Sequence, residues 1–161
     1  MAEQDTLNVK VVGPTPTWPN NLLKKNYAVF EHTADIGIRV KGKDLKDLFR
    51  NAGLAVFEIS THKQFTRNKI HTSIIIQQKA DNLEELFINW LNELLSLSSA
   101  KGLIFHGIKI NKLAGNSLEA LVVGSDIANY KVNTEIKAAT FHELKIKQND
   151  YGWLAEVILD V

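Results

Sequence analysis

The sequence contains no cysteine, which excludes disulfide bonds, thiolate metal ligands and cysteine nucleophiles. No hydrophobic run approaches the 18 or more residues that a transmembrane helix needs, and the acidic start of the chain does not resemble a secretory signal. Neither sign of charge is in excess, since 19 basic residues stand against 18 acidic ones. That balance argues against a polybasic nucleic-acid binder, whose affinity comes mainly from neutralising phosphates. We therefore expect a cytoplasmic protein with no membrane association.

Proline is rare, and all three prolines lie between residues 14 and 19. Residues 1–26 are therefore predicted to be an N-terminal extension, with one short strand at residues 7–12 and a proline-containing connector. Residues 27–161 are predicted to form one domain, because a chain of 161 residues has the usual length of a single domain. A domain of this size needs no disulfide or metal to support its core.

Two segments have the hydrophobic periodicity of amphipathic helices. The first begins after Asp44, a residue suited to capping, and carries its apolar stripe through residue 56. The second begins near Asn82, with Glu85 as the partner in a capping-box arrangement and Gly102 as the C-terminal cap. Both apolar stripes are expected to pack on a sheet.

Most of the remaining chain alternates apolar and polar residues, as half-buried strands do, with turns predicted at residues 114–117 and 149–152. The second half of the chain lacks helices, which argues against a doubly wound dinucleotide-binding fold. The order of elements predicts an α+β fold, namely a two-layer sandwich in which a mixed, mostly antiparallel β-sheet is packed by two amphipathic helices.

Common catalytic signatures, such as the Walker A loop and His-Glu-x-x-His, are missing. The most unusual stretch is residues 31–37 (EHTADIG), where polar residues interrupt an apolar strand. Spacing alone favours a turn over a metal site, with Asp35 bonded to its own backbone and Gly37 supplying an unusual φ. His32 by itself is more often structural than a ligand.

The last strand predicted, residues 153–161, is apolar enough to be buried and carries Asp160 near its end. Val161 follows with the α-carboxylate, and a strand rises only about 3.3 Å per residue, so these two acids lie close together. Nearby acids repel unless a proton or cation joins them, and Ca²⁺ or Mg²⁺ would suit them if a third carboxylate came near. The alternative is a frayed, solvated terminus.

A third stretch, residues 134–142 (TEIKAATFH), places Glu135 and Lys137 on one face of a predicted strand. They form either a surface pair of little value or, through Lys137, a contact for a phosphate or an acidic partner. His142 and Glu143 have no second histidine at metal spacing. The remaining histidines have no nearby partners in the sequence and are assigned no role: His62, His71 and His106.

Taken together, residues 31–37, 134–142 and 152–161 (GWLAEVILDV) resemble the signatures of the archease family, and the helix at residues 83–102 is also similar to that family. The resemblance covers residues 27–161 with the motifs in order. Two positions depart from the family pattern: Phe141 stands where members often have tyrosine, and Tyr130 stands where many have histidine.

The resemblance implies an accessory protein, not an enzyme, that activates a GTP-dependent RNA ligase. That ligase joins 3′-phosphate or 2′,3′-cyclic-phosphate ends to 5′-hydroxyl ends in tRNA splicing and RNA repair. The accessory protein would promote guanylylation of the ligase's histidine and multiple turnover, and would meet RNA only indirectly, through the ligase.

The resemblance also implies a divalent metal ion as cofactor, Ca²⁺ or alternatively Mg²⁺ or Mn²⁺. Its ligands would be Asp35, Asp160 and the carboxylate of Val161, while His32, Lys137 and His142 would serve partner contact and activation. Two other functions remain open. One is a small metal-dependent hydrolase or nucleotidyl-handling enzyme using the same carboxylates, and the other is a chaperone-like binding module, which should expose a large apolar patch.

Overall fold

The computed structural model describes residues 25–64 and 69–161, so the strand and connector predicted before residue 20 lie outside the described residues. The elements in chain order are β1 (Tyr27–His32), β2 (Asp35–Gly42), α1 (Leu45–Ser60), β3 (Thr61–Lys63), β4 (His71–Lys79), α2 (Leu83–Lys101), β5 (Leu103–Ala114), β6 (Ser117–Asp126), β7 (Tyr130–Val132), β8 (Ala138–Asn149) and β9 (Gly152–Asp160). A short 3-10 helix, Ile127–Asn129, joins β6 to β7.

The strands form a four-stranded sheet in the order β1-β2-β9-β8, a three-stranded sheet in the order β4-β6-β5 and a ribbon of β3 with β7. Each pairing between described strands is antiparallel. The predicted α+β class, with two helices and mostly antiparallel strands, is confirmed. The two predicted turns are confirmed as well, because β5 ends at Ala114 and β8 ends at Asn149.

The helix ends agree with the capping residues that the sequence predicts. The Asp47 N–H donates to Asp44 Oδ1 at 2.8 Å at the start of α1. The Glu85 N–H donates to Asn82 Oδ1 at 2.8 Å at the start of α2, and Gly102 closes that helix with a left-handed φ of 64°. Each N-cap of this kind stabilises a helix by about 1 kcal/mol.

The core lies between the helices and both larger sheets. Helix α1 contacts β2 and β5, whereas α2 contacts β8 as well as β4 and β5. The fully buried Trp90 of α2 also donates its indole N–H to the Phe49 carbonyl of α1 at 2.8 Å, which joins the two helices. None of the helices in the described part of the chain is both long and apolar enough to cross a bilayer.

Strand β9 is buried on both faces, with residues 154–159 all buried. The reason is its interior position between β2 and β8 and its contact with α1. Arg39 of β2 and Lys145 of β8 also approach the Glu156 side chain of β9. The prediction of a buried last strand with Asp160 at its end is therefore confirmed, and that strand end is the centre of the candidate site.

Candidate functional site

The hairpin of β1 and β2 forms one side of the candidate site. Its last register pair joins His32 to Asp35, and two residues form the turn between them. In that turn Ala34 has a left-handed φ of 61°. The prediction that Gly37 supplies the unusual φ was wrong. Gly37 lies inside β2, where a Cβ would meet the Phe30 ring at 2.2 Å, so glycine is needed there for space.

The end of β9 lies beside this hairpin. Ile36 of β2 pairs with Leu159 of β9, so Asp35 and Asp160 each lie one residue further toward the same end of the sheet. Because side chains alternate along paired strands, these two acids share the face opposite to Ile36 and Leu159. The side chain of Val161 packs against the core, which holds the residue after Asp160 in place.

Strand β8 reaches the same end of the sheet through an unusually large β-bulge. Between the pairs Thr140–Ile158 and Lys145–Glu156, four residues of β8 stand opposite a single residue of β9. Glu143, within this bulge, has a left-handed φ of 54°. That conformation costs a residue other than glycine roughly 1–2 kcal/mol, and such strain is concentrated at functional sites.

The bulge folds over the sheet and contacts β1, although β1 and β8 are its opposite edges. His32 Nε2 lies 2.9 Å from Glu143 Oε2, and the His142 ring packs edge-on against the His32 ring with centroids 5.5 Å apart. One ligand atom from each of His32, His142 and Glu143 lies within 4.8 Å of the others. The two histidines predicted to serve partner contact are therefore neighbours, and a glutamate joins them.

One polar atom of this cluster has no hydrogen-bond partner. His32 Nδ1 is buried without one, and the nearest carboxylate oxygen of Asp35 is 4.0 Å away. A buried unsatisfied ring nitrogen in a folded protein needs a physical reason, such as a water or an ion. The distance is too long for a hydrogen bond and leaves room for such a bridging species.

A buried ion pair supports the sheet face next to the cluster. Arg39 Nε donates to Glu156 Oε2 at 2.8 Å, and Lys145 Nζ is 3.9 Å from the other oxygen of Glu156. The Arg39 guanidinium also stacks on the Phe30 ring at 4.2 Å from its centroid. These contacts fix β1, β2, β8 and β9 relative to one another next to the acid cluster, by which we mean Asp35, Asp160 and Glu143 with the two histidines beside them.

The prediction that Glu135 and Lys137 lie on one strand face was wrong. Residues 133–137 have no regular strand structure, because the N–H groups of Asn133 and Thr134 turn away to the Ser60 carbonyl. Glu135 and Lys137 instead line a groove of about 800 Å³ beside the second half of α2. The Lys137 N–H donates to the Asp160 carbonyl at 2.8 Å, which attaches this groove to the acid end of β9.

Helix α2 holds the start of β8 through one side chain. Asn92 Nδ2 donates to the Ala139 carbonyl at 3.1 Å, and Asn92 Oδ1 accepts from the Ala139 N–H at 2.8 Å. These two hydrogen bonds satisfy both the N–H and the carbonyl of Ala139, which lies on an edge strand. It positions the groove and the bulge on either side of that residue.

Glu143 is the residue that sequence reasoning undervalued, since it was considered only for a second histidine at local metal spacing. Its partner His32 comes from a strand 111 residues away in the sequence. Local spacing carries no signal for that contact. The available signal was that each segment places a histidine beside an acid, at residues 31–32 and 142–143.

Comparisons with known proteins agree on one family. The sequence profile of the archease protein family (MTH1598/TM1083) matches residues 27–161. Protein archease of Methanosarcina barkeri is 31% identical over 143 residues, covering 85% of this chain and 97% of the relative. Protein archease of Pyrococcus abyssi is 33% identical over 145 residues, covering 85% of this chain and 99% of the relative.

Two solved structures have the same fold. The solution structure of Methanobacterium thermoautotrophicum protein 1598 is 29% identical with a TM-score of 0.63, covering 85% of this chain and 99% of that one. The 2.0 Å crystal structure from Thermotoga maritima, described as an archease and possible chaperone, is 26% identical with a TM-score of 0.59. It covers 82% of this chain and 94% of that one.

Proposed function

Because the chain belongs to the archease family, we propose that it is a protein cofactor of a GTP-dependent RNA ligase. That ligase joins 3′-phosphate or 2′,3′-cyclic-phosphate ends to 5′-hydroxyl ends in tRNA splicing and RNA repair. The protein promotes guanylylation of the ligase's histidine and allows multiple turnover, without being the ligase itself. The observation that carries the proposal is the convergence of polar groups from β1, β2, β8 and β9 at one end of a buried sheet.

We propose that a divalent cation, Ca²⁺ or alternatively Mg²⁺ or Mn²⁺, binds at this end. Asp35, Asp160 and the carboxylate of Val161 would hold it, since hard cations prefer oxygen ligands. The shared face of the two aspartates supports this ligand set. An ion held there would supply positive charge able to neutralise nucleotide phosphate oxygens in the ligase's active site.

The bulge is proposed as the part that contacts the ligase. His142 and Glu143 project from it with side chains 65% and 57% exposed, and Phe141 is more than half exposed. His32 holds Glu143 in place through their 2.9 Å contact, so it acts as a positioning residue. Lys137, in the adjoining groove, is suited to bind a phosphate or an acidic side chain of the partner.

The test is multiple-turnover ligation by the cognate ligase with GTP and Mg²⁺ or Mn²⁺, with and without this protein. Asp35→Asn and Asp160→Asn are each expected to reduce stimulation by about 100-fold, the usual effect of removing one group that stabilises charge at a reacting centre. Asp150→Asn is the matched control, because it makes the same change in the turn at the far end of β9. Its stimulation should equal that of the wild type.

Three results would contradict the proposal. Full stimulation by both Asp35→Asn and Asp160→Asn would remove the metal site from the mechanism. No stimulation of a competent ligase, together with hydrolysis of GTP or a phosphoester by this protein alone, would establish the metal-dependent enzyme instead. Suppression of ligase aggregation without any effect on its guanylylation would favour a chaperone.

A further inference from the structure

A second group of nitrogen and oxygen atoms converges on the three-stranded sheet, away from the acid cluster. Ser125 of β6 pairs directly with His71 of β4. His106 is the extra residue of a β-bulge in β5, between the pairs Phe105–Gly124 and Gly107–Val123. Bulges turn a side chain from its regular direction, and this one brings His106 to Ser125.

The three side chains form a closed triangle. His106 Nε2 lies 2.9 Å from Ser125 Oγ, His71 Nδ1 lies 3.1 Å from the same oxygen, and the two ring nitrogens are 3.2 Å apart. A ring nitrogen either donates or accepts, so two protonated nitrogens this close would repel each other. Two lone pairs this close would repel as well, so in the metal-free protein one ring nitrogen donates and the other accepts. A cation that replaced this shared proton would meet a lone pair of each ring, because a neutral imidazole can carry its N–H on its other nitrogen.

The dimensions of the triangle suit a transition metal. The centre of a triangle with sides of 2.9–3.2 Å is about 1.8 Å from each corner, so an ion at the usual zinc–nitrogen distance would lie about 1 Å above its plane. Imidazole nitrogen is a ligand of Zn²⁺, Ni²⁺ and Cu²⁺, whereas Ca²⁺ and Mg²⁺ prefer oxygen. Both histidines are exposed, so an ion and water have access from solvent.

We propose that His71 Nδ1, His106 Nε2 and Ser125 Oγ bind a divalent transition-metal ion such as Zn²⁺, with water completing its coordination. The ion would join β4, β5 and β6 across the outer end of their sheet. This site is separate from the carboxylate site in residues and in ligand chemistry. Its test uses no ligase, so it succeeds or fails independently of the proposed function.

One neighbouring charge opposes the ion and supplies a sharp test. Lys63 lines the same pocket as His106, and its ammonium group acts on that ring. Removing this positive charge should make cation binding more favourable. We therefore expect Lys63→Gln to bind Zn²⁺ more tightly than the same protein with Lys63 intact. A triangle held by hydrogen bonds alone would not produce this effect.

The experiment is a Zn²⁺ titration of metal-free protein carrying His142→Gln, so that the His32–His142 pair does not compete. Long-range proton–nitrogen NMR spectra of the histidine rings and calorimetry follow the titration. We expect shifts at His71 Nδ1 and His106 Nε2, and a rise in Tm that follows the occupancy of the site. His106→Gln should weaken Zn²⁺ binding by at least about tenfold. Losing a residue that only hydrogen-bonds to a metal ligand already costs about that much, and His106 is proposed as a ligand itself.

His62→Gln is the matched control, since His62 lines the same pocket but lies outside the triangle. It should leave the Zn²⁺ affinity unchanged. Saturating Zn²⁺ without a shift at either ring of the triangle would overturn the proposal. Equal Zn²⁺ affinity in the parent and in the His71→Asn/His106→Gln variant would overturn it as well.

Discussion

Two strands of this protein carry a histidine in a β-bulge, and the two bulges are built differently. The bulge of β8 sets four residues against one and crosses the sheet face to reach β1. The bulge of β5 adds His106 alone, and its ring contacts side chains of the adjacent strand β6 and of β4 beyond it. Among the described residues, Glu143 in the first bulge has a positive φ, whereas His106 in the second does not.

The difference separates a strained site from an unstrained one. Strained backbone persists only where its surroundings impose it, and here a glutamate is turned toward His32 above a buried ion pair. The first cluster combines carboxylates with imidazoles, whereas the second has imidazoles and a hydroxyl. Carboxylate oxygens favour hard cations and imidazoles favour transition metals, so the two bulges predict different ion preferences within one domain.

The largest difference between the two bulges is expected in the free energy of unfolding, when the ion pair next to the β8 bulge is broken. Arg39→Met leaves the Glu156 carboxylate, whose side chain is 11% exposed, to Lys145 Nζ at 3.9 Å. Breaking a fully buried pair costs about 3–5 kcal/mol, and this pair is part-buried, so the free energy of unfolding should fall by somewhat less, about 2–3 kcal/mol. Ser125→Ala beneath the other bulge removes one hydroxyl, and should lower it by about 1 kcal/mol. Urea unfolding measures both.

The double variant Arg39→Met/Glu156→Leu serves as the control for this prediction. Removing both partners leaves no uncompensated buried charge, since the remaining Lys145 side chain is 37% exposed. The double variant should therefore regain part of the lost stability. A double variant no more stable than Arg39→Met would mean that packing around Phe30, and not the unpaired carboxylate, explains the loss.

A smaller effect concerns the backbone of the two bulges. Glu143→Gly should be more stable than Glu143→Ala by about 1 kcal/mol, because only glycine adopts the left-handed conformation without cost. At His106 the order should reverse, with alanine more stable than glycine by about 0.5–1 kcal/mol. Both variants at a position lose the same side chain, so their difference reports the backbone. The same order at both positions would refute the distinction between the bulges.

Local sequence signals predicted the helices and turns but only part of the candidate site. Caps such as Asp44 and Asn82 act within one helical turn, so their partners can be found from spacing. The His32–Glu143 contact depends on strand order and on a bulge, which hydrophobic alternation does not encode. The same holds for His71 and His106, which were assigned no role because they have no nearby partners in the sequence. Their proximity to each other and to Ser125 arises from register across three strands. The unusual φ predicted for Gly37 failed because Phe30, not the turn, requires glycine there.

The smallest effect is a dependence of stability on pH that originates at the β5 bulge. Burial lowers the pKa of His106 below its ordinary value, and the nearby His71 and Lys63 lower it further. The unfolded chain, with a histidine pKa of about 6.5, therefore binds this proton before the folded chain does. The resulting stability is fully present above pH 6.5 and is lost as the pH falls toward the folded-state pKa.

Replacing His106 should remove this pH-dependent part of the stability. Other groups titrate over the same range, so the measured quantity is the difference in free energy of unfolding between wild type and His106→Gln at pH 7.5 and at pH 5.5. Because the wild type alone must protonate His106 in an unfavourable setting, its advantage over the variant should shrink at the lower pH. His62→Gln provides the same chemical change outside the triangle and should not reproduce the trend. An advantage that grows on acidification would mean that the folded bulge favours the charged ring, and would contradict the prediction.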